Sequence, residues 1–276
     1  MTGTIFDVFR IDRLGKRIFT KVLFTFALLV GMSVYVCPIG DTDFSAFIVY
    51  MQKAMSDMEI LMNMEWADIP LSNGNLLYMG HILAADFLVL FCSFIYTGVY
   101  IRQYRLDHKD NTPGDSGYLI PPKFLIPSSA STLVLRMVIV FCFSLIIFIP
   151  ATFAVVYLFM IFIIILPYVG MYPACYLSGD SGFFGSFSEM IKVTKGYYLV
   201  NIRNMLFIIS LYFVGNWMTS SLVSFLPSVA YVTGPMINAF LALSYGRYVG
   251  MVYCRMREVP GGYKQVTTLR REAGDN

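Results

Sequence analysis

From Met137 to Leu177 the chain carries no charged side chain. A helix crosses the hydrocarbon of a bilayer with roughly 20 mostly apolar residues. This run is too long for one crossing and suits two. Pro150 interrupts it, so IPATF (Ile149 to Phe153) is expected to form the tight turn between them. The same reasoning gives six spans, near 20–38, 76–101, 133–150, 152–177, 202–225 and 229–254. Only 13% of the residues are charged, against about 25% in soluble domains. The expected fold is all-α: a polytopic membrane helix bundle of six transmembrane helices. An outer amphipathic helix and short cytoplasmic interfacial helices complete it. One transmembrane domain covers 1–254, and 255–276 form a tail.

Lys and Arg set the expected orientation. Arg10, Arg13, Lys16, Arg17 and Lys21 precede the first span. Arg102, Arg105, Lys109 and Lys123 follow the second. Lys192, Lys195 and Arg203 precede the fifth, and Arg255, Arg257, Lys264, Arg270 and Arg271 follow the sixth. With six spans these segments share one side. The main opposite segment, 39–75, has Lys53 as its single basic residue, against Asp41, Asp43, Asp57, Glu59, Glu65 and Asp68. Both termini are expected in the cytoplasm of a bacterium, with the chain multi-pass in the cytoplasmic membrane. No small-x-small site follows the first apolar segment, which reads as an uncleaved anchor.

The flanking segments have their own patterns. Phe44, Ile48, Met51, Met55, Met58, Met62 and Trp66 recur every three or four residues, one face of a helix. Asp43 is placed to cap it. The expectation is a helix lying on the outer surface, its Met side a flexible contact. The sharper alternative is a Cu(I) site from Met55, Met58, Met62 and Met64, because thioethers are soft ligands. On the other side, residues 5–21 mix apolar and basic residues as interfacial helices do. Ser186 and Glu189 have the spacing of a capping box, and Gly196 that of a terminator. The loop NTPGDSGYLIPP (Asn111 to Pro122) lacks the Lys-Ser/Thr ending of a phosphate loop.

Asp86 is the one acid inside a span. Counted from Leu76 it lies roughly 15 Å down the helix, near the midplane. Ser93, Thr97 and Tyr100 fall within about 40° of it at 100° per residue. His81 falls on nearly the opposite face. An acid at this depth is costly and is expected to face the bundle interior. Arg136 and Arg203 lie near span ends and can snorkel. Arg247 is deeper and meets Asp86 only if helices tilt or its side chain reaches upward. The candidate intramembrane polar site is therefore Asp86, Ser93, Thr97 and Arg247. It is either a register-fixing pair, including a protonated acid bonded to a carbonyl, or a proton, cation or polar-substrate contact. Ala239, Ala242, Gly246 and Gly250 share a small-xxx-small face suited to close helix packing. Asn216, Thr219 and Ser220 give the fifth span a polar side, for a cavity or for helix bonding.

Two histidines and five scattered cysteines give no metal-ligand cluster or disulfide framework. No Gly-x-Ser-x-Gly or HExxH motif occurs. An aspartyl enzyme would want a second acid in the spans. No enzyme activity, cofactor or nucleic-acid partner is expected.

ILPYVGMYPACYLSGDSG, FSEMIKVTKGYY, NMLFIISLYFVGNW and ALSYGRYVGM follow one another in the second half. Their order resembles a group of bacterial six-span proteins related to the membrane domain of some glycerophosphodiester phosphodiesterases. The matching positions are Pro167, Tyr172, Asp180, Lys192, Lys195, Gly196 and Trp217, within about 150–252. The first half matches in topology alone. The resemblance implies a non-catalytic membrane module. Two functions follow as expectations. One is an accessory or scaffold protein binding lipid or a membrane partner complex. The other is the permease subunit of a transporter whose ATPase is a separate chain, docking on segments 102–132 and 179–197.

Overall fold

The computed structural model describes residues 7–13, 17–57, 69–107, 129–157, 159–195, 197–223 and 225–258. Among them are eight α-helices and no strand. They are α1 (Arg17–Val36), α2 (Ser45–Ser56), α3 (Asn73–Asp107), α4 (Ala130–Tyr157), α5 (Phe159–Leu177), α6 (Phe183–Thr194), α7 (Tyr198–Val223) and α8 (Pro227–Glu258). Three stretches are long and apolar enough to cross a membrane: Ile18–Val36, Asn73–Asp107 and Tyr198–Val223. Ala130–Ile146 and Ile163–Leu177 are shorter apolar stretches. Ile18, Val22 and Leu29 on α1 and Leu199, Phe213 and Trp217 on α7 are exposed by 60% or more. Apolar residues turned outward in such numbers need an apolar surrounding. This is a helical membrane protein.

Successive long helices alternate in direction. Ser33 near the end of α1 meets His81 near the start of α3. Arg136 near the start of α4 bonds the carbonyl of Tyr176 at the end of α5. Tyr248 toward the end of α8 bonds Asn201 at the start of α7. One end of the bundle therefore gathers the starts of α1, α4 and α7 and the ends of α3, α5 and α8. It is called the basic end here.

The sixth expected span exists as a helix, but α8 is not apolar enough to count as a crossing by composition. Its place explains why. It packs against α1, α3, α5 and α7, and Ala239, Ser244, Tyr248 and Tyr253 are wholly buried. A helix wrapped by others meets little lipid, so it tolerates Ser244, Arg247 and Pro235.

The turn expected at IPATF is absent: α4 runs through Pro150 to Tyr157, and α5 begins at Phe159. Pro167 and Pro173 also lie inside α5. Proline costs less inside packed membrane helices, where neighbours and local adjustment satisfy the freed carbonyl. The segment before α1 also differs from expectation. Its described part, residues 7–13, is packed against the bundle. Residues 11–13 form a 3-10 turn, Val8 is fully buried, and Phe9 stacks on Phe240. Of the cysteines, Cys92, Cys175 and Cys254 are buried, while Cys37 and Cys142 are exposed rather than packed.

At the other end, α2 buries Ala54 and half-buries Phe44, Phe47, Tyr50 and Met51, while Ile48 is exposed. The packed face is thus turned by about one residue from the expected stripe. Phe44 occupies the N-cap, and Asp43 accepts the Ser45 N–H at 2.9 Å from one position earlier. That bond holds the Asp43 carboxyl below its usual pKa. The Met55 side chain, Met58, Met62, Met64 and Trp66 lie outside the described residues, and so does the proposed copper site. A clip fixes α2 to α3: Asn75 Nδ2 donates to the carbonyls of Asp41 and Asp43, and Ser72 caps α3 through the Asn75 N–H.

Candidate functional site

The four residues of the expected intramembrane site are not brought together. Ser93 and Thr97 are buried in the seam between α3 and α8. The Thr97 hydroxyl donates to the Gly246 carbonyl at 2.9 Å and lies 2.8 Å from the Ser93 carbonyl. Gly246 lies directly on the Ser93 backbone, and a Cβ added at Gly250 would stand 2.8 Å from the Tyr100 ring. Ala239 is buried and Ala242 half-buried against α1 and α3 residues. The polar stripe is a packing seam, not the lining of a passage.

Arg247 points elsewhere. Its Nε donates to the Asp7 carbonyl at 2.8 Å. The guanidinium stands near the Tyr96 hydroxyl and over the Tyr100 ring. The pocket exists because residues 7–13 tuck under the bundle, and Tyr96 bonds the Ile11 carbonyl there. Thus Arg247 holds the N-terminal segment and does not meet Asp86.

Asp86 is exposed, while Ala85 and Phe87 beside it are buried. This reverses the expected inward orientation. Among the described residues no ion pair includes it. It lies within electrostatic reach of Tyr35 on α1 and Tyr212 on α7. Tyr35 stacks on Tyr231 of α8. His81 bridges Ser33 and the Ile39 N–H, away from Asp86. Asn216 bonds Asn238 across the α7–α8 seam at 3.3 Å. Thr219 and Ser220 bond carbonyls of their own helix.

The dense polar constellation lies at the basic end. Gly179, with φ +90°, ends α5 as a left-handed residue. The turn Ser178–Gly182 that follows is gripped from three helices. From α3, the fully buried Arg105 bonds the Ser178 carbonyl at 2.7 Å and Asp180 at 2.8 Å. From α4, Arg136 bonds the carbonyls of Tyr176, Gly179 and Ser181 and lies over the Tyr176 ring. From α8, Arg257 pairs with Asp180 and Glu189, each at 3.0 Å. Tyr253 adds a hydrogen bond to Glu189 at 2.8 Å. Burial works against the Arg257 charge, but Tyr253, Glu189 and Asp180 together hold its pKa above the usual arginine value.

Glu189 and Ser186 do not form the expected capping box. The helix begins at Phe183 behind Gly182. Ser186 bonds the Gly182 carbonyl, and Glu189 accepts from Ser181 at 2.7 Å. The tertiary ion pair outcompetes the local cap. The result fixes α6 across the basic end. Ser186, Met190 and Thr194 face inward. Outward stand Phe184 (83% exposed) and Ile191, edged by Lys192 and Lys195, while the Phe187 ring packs on Tyr172 of α5 at 4.4 Å.

Arg105, Glu189, Tyr253 and Arg257 were not singled out as a site by sequence. One signal was present: Asp180 and Glu189 are the acids of the segment between α5 and α7, nearest its lysines. The docking segment 102–132 lies mostly outside the described residues. Among the described residues no three of His, Cys, Asp and Glu gather as metal ligands do. No family model matches the chain, and no curated protein or solved structure matches it.

Proposed function

We propose that this chain is a non-enzymatic six-span module of a bacterial cytoplasmic membrane, with both termini cytoplasmic. Its role is that of an accessory or scaffold protein which binds membrane lipid in the service of a partner complex. The carrying observation is α6. A partly buried ion network anchors it, yet it turns Phe184 and Ile191 outward beside Lys192 and Lys195. An apolar stripe with a lysine edge suits the boundary between acyl chains and anionic headgroups. The alternating helix directions support six crossings, with the polar α8 sheltered as the sixth. The resemblance to phosphodiesterase-linked membrane domains remains part of this reading, through Asp180 at the head of the clasp.

A photo-crosslinking amino acid at Phe184 in native membranes tests it. Phospholipid adducts are the expected result. Adducts to a second protein would move α6 to the partner complex. Reaction with water alone would sink the proposal.

One observation favours the permease reading. Asp86 is exposed in the middle of a spanning helix, with tyrosines from two other long helices around it. In that reading the acid contacts a cation or polar substrate, and a separate ATPase docks at the basic end.

A further inference from the structure

We infer that the seam where α7 begins and α8 ends is an oxyanion site, suited to the phosphate of a lipid headgroup. This goes beyond the role given to α6 and uses none of its residues. A cavity of about 30 Å³ lies there, and Tyr197, Asn201, Asn204 and Arg255 supply its polar lining. That is room for about two waters, or for the leading oxygens of one oxyanion.

Asn201 decides the chemistry. It is 1% exposed. Its Oδ1 accepts the Tyr248 hydroxyl at 3.1 Å, which orients the amide. Its Nδ2 is buried and has no hydrogen-bond partner among the described residues. Buried N–H groups left unpaired are costly, so the cavity calls for an acceptor. Arg255 adds positive charge at the exposed rim, and among the described residues no carboxylate lines the cavity. A buried, unpartnered amide donor with a guanidinium nearby selects a negatively charged acceptor.

The surroundings favour a lipid as its source. Farther along the same two helices, toward the bundle centre, an apolar cavity of about 470 Å³ opens between α1 and α7. Phe24, Leu211, Val214, Met218, Phe240 and Leu241 line it. From Asn204 to Leu211 is about 10 Å of helix, and half of a bilayer core is about 15 Å. An acyl chain hanging from a phosphate at Asn201 reaches that cavity.

The test uses the full chain in detergent, delipidated and then given one of three probes. These are phosphatidylglycerol, diacylglycerol with the same chains, and inorganic phosphate. Thermal stabilisation and native mass spectrometry provide the readouts. Phosphatidylglycerol is expected to bind and to raise the melting temperature, and diacylglycerol is not. Asn201→Asp keeps an oxygen for Tyr248 but loses the amide donors. It is expected to weaken phosphatidylglycerol binding about tenfold, as loss of one hydrogen bond to a charged acceptor does. Arg255→Gln is expected to act similarly, and it carries the test if Asn201→Asp does not fold. A merely structural Asn201 would lower the baseline melting temperature and leave the lipid increment unchanged, which overturns the inference. Stabilisation by inorganic phosphate with none by phosphatidylglycerol would keep the oxyanion site and overturn its lipid source. No response to either phosphate probe would mean that ordered water fills the cavity, and the site would be refuted.

Discussion

Asp180 and Asp86 are both acids attached to long helices of one bundle, and they are treated in opposite ways. Asp180 receives Arg105, Arg257 and the Tyr253 hydroxyl, and its turn is held by Arg136 as well. Asp86 stands exposed between two buried neighbours, with tyrosines near and no ion pair among the described residues. The difference follows from supply. At the basic end four chain segments deliver cations, so the carboxylate of Asp180 finds partners from separate helices although the residue is itself exposed. At mid-depth Arg247 is the one nearby cation in the sequence, and the N-terminal segment has claimed it. A carboxylate in such a place is left outside any ion pair among the described residues.

The largest test of this contrast is Arg105→Met. Removing one partner of a buried ion pair costs about 3–5 kcal/mol where the other charge is stranded. Here Asp180 keeps Arg257, so a loss of about 3 kcal/mol is expected, read as the unfolding free energy in mixed micelles. The variant should also loosen α6, seen as faster proteolysis after Lys192. A neutral result would mean that Arg257 and Arg136 hold the turn alone.

A smaller effect separates the seam from the clasp. Gly246 rests on the Ser93 backbone, which cannot yield, so Gly246→Ala is expected to cost about 2 kcal/mol by overpacking. Gly250→Ala meets the Tyr100 ring instead, which can turn, and should cost less. Gly80→Ala meets nothing within 4 Å and should stabilise α3 by up to about 1 kcal/mol. Equal effects at all three positions would show that the stripe does not set helix packing.

The sequence made the helices easy to find, because charge-free runs of this length have few alternatives. It misplaced features wherever a tertiary partner overruled a local rule. Pro150 reads as a breaker in isolation, but α4 continues through it. Ser186 and Glu189 read as a capping pair, but Arg257 and Tyr253 claim the glutamate. Arg105 reads as a loop residue by its distance from the apolar run, but α3 extends to Asp107 and carries it into the clasp. Helical rotation put Asp86 on a line with Ser93 and Thr97. It said nothing of where α8 stops covering that line.

The smallest expected effect on stability belongs to Asp86 itself. If water reaches Asp86, its replacement is that of a solvated side chain outside any ion pair, which changes stability by about 0.5 kcal/mol or less. Asp86→Asn should therefore melt with the parent. That neutrality makes the residue usable as a probe of access. With Cys37 and Cys142 changed to serine, Asp86→Cys can be challenged with a membrane-impermeant maleimide in sealed vesicles. Labelling would show that water reaches mid-depth on α3, as the permease reading requires of a substrate contact. Protection from the reagent in a folded variant would place Asp86 against lipid. A carboxyl there has no aqueous route, and the transport reading would fall while the clasp at Asp180 stood unchanged.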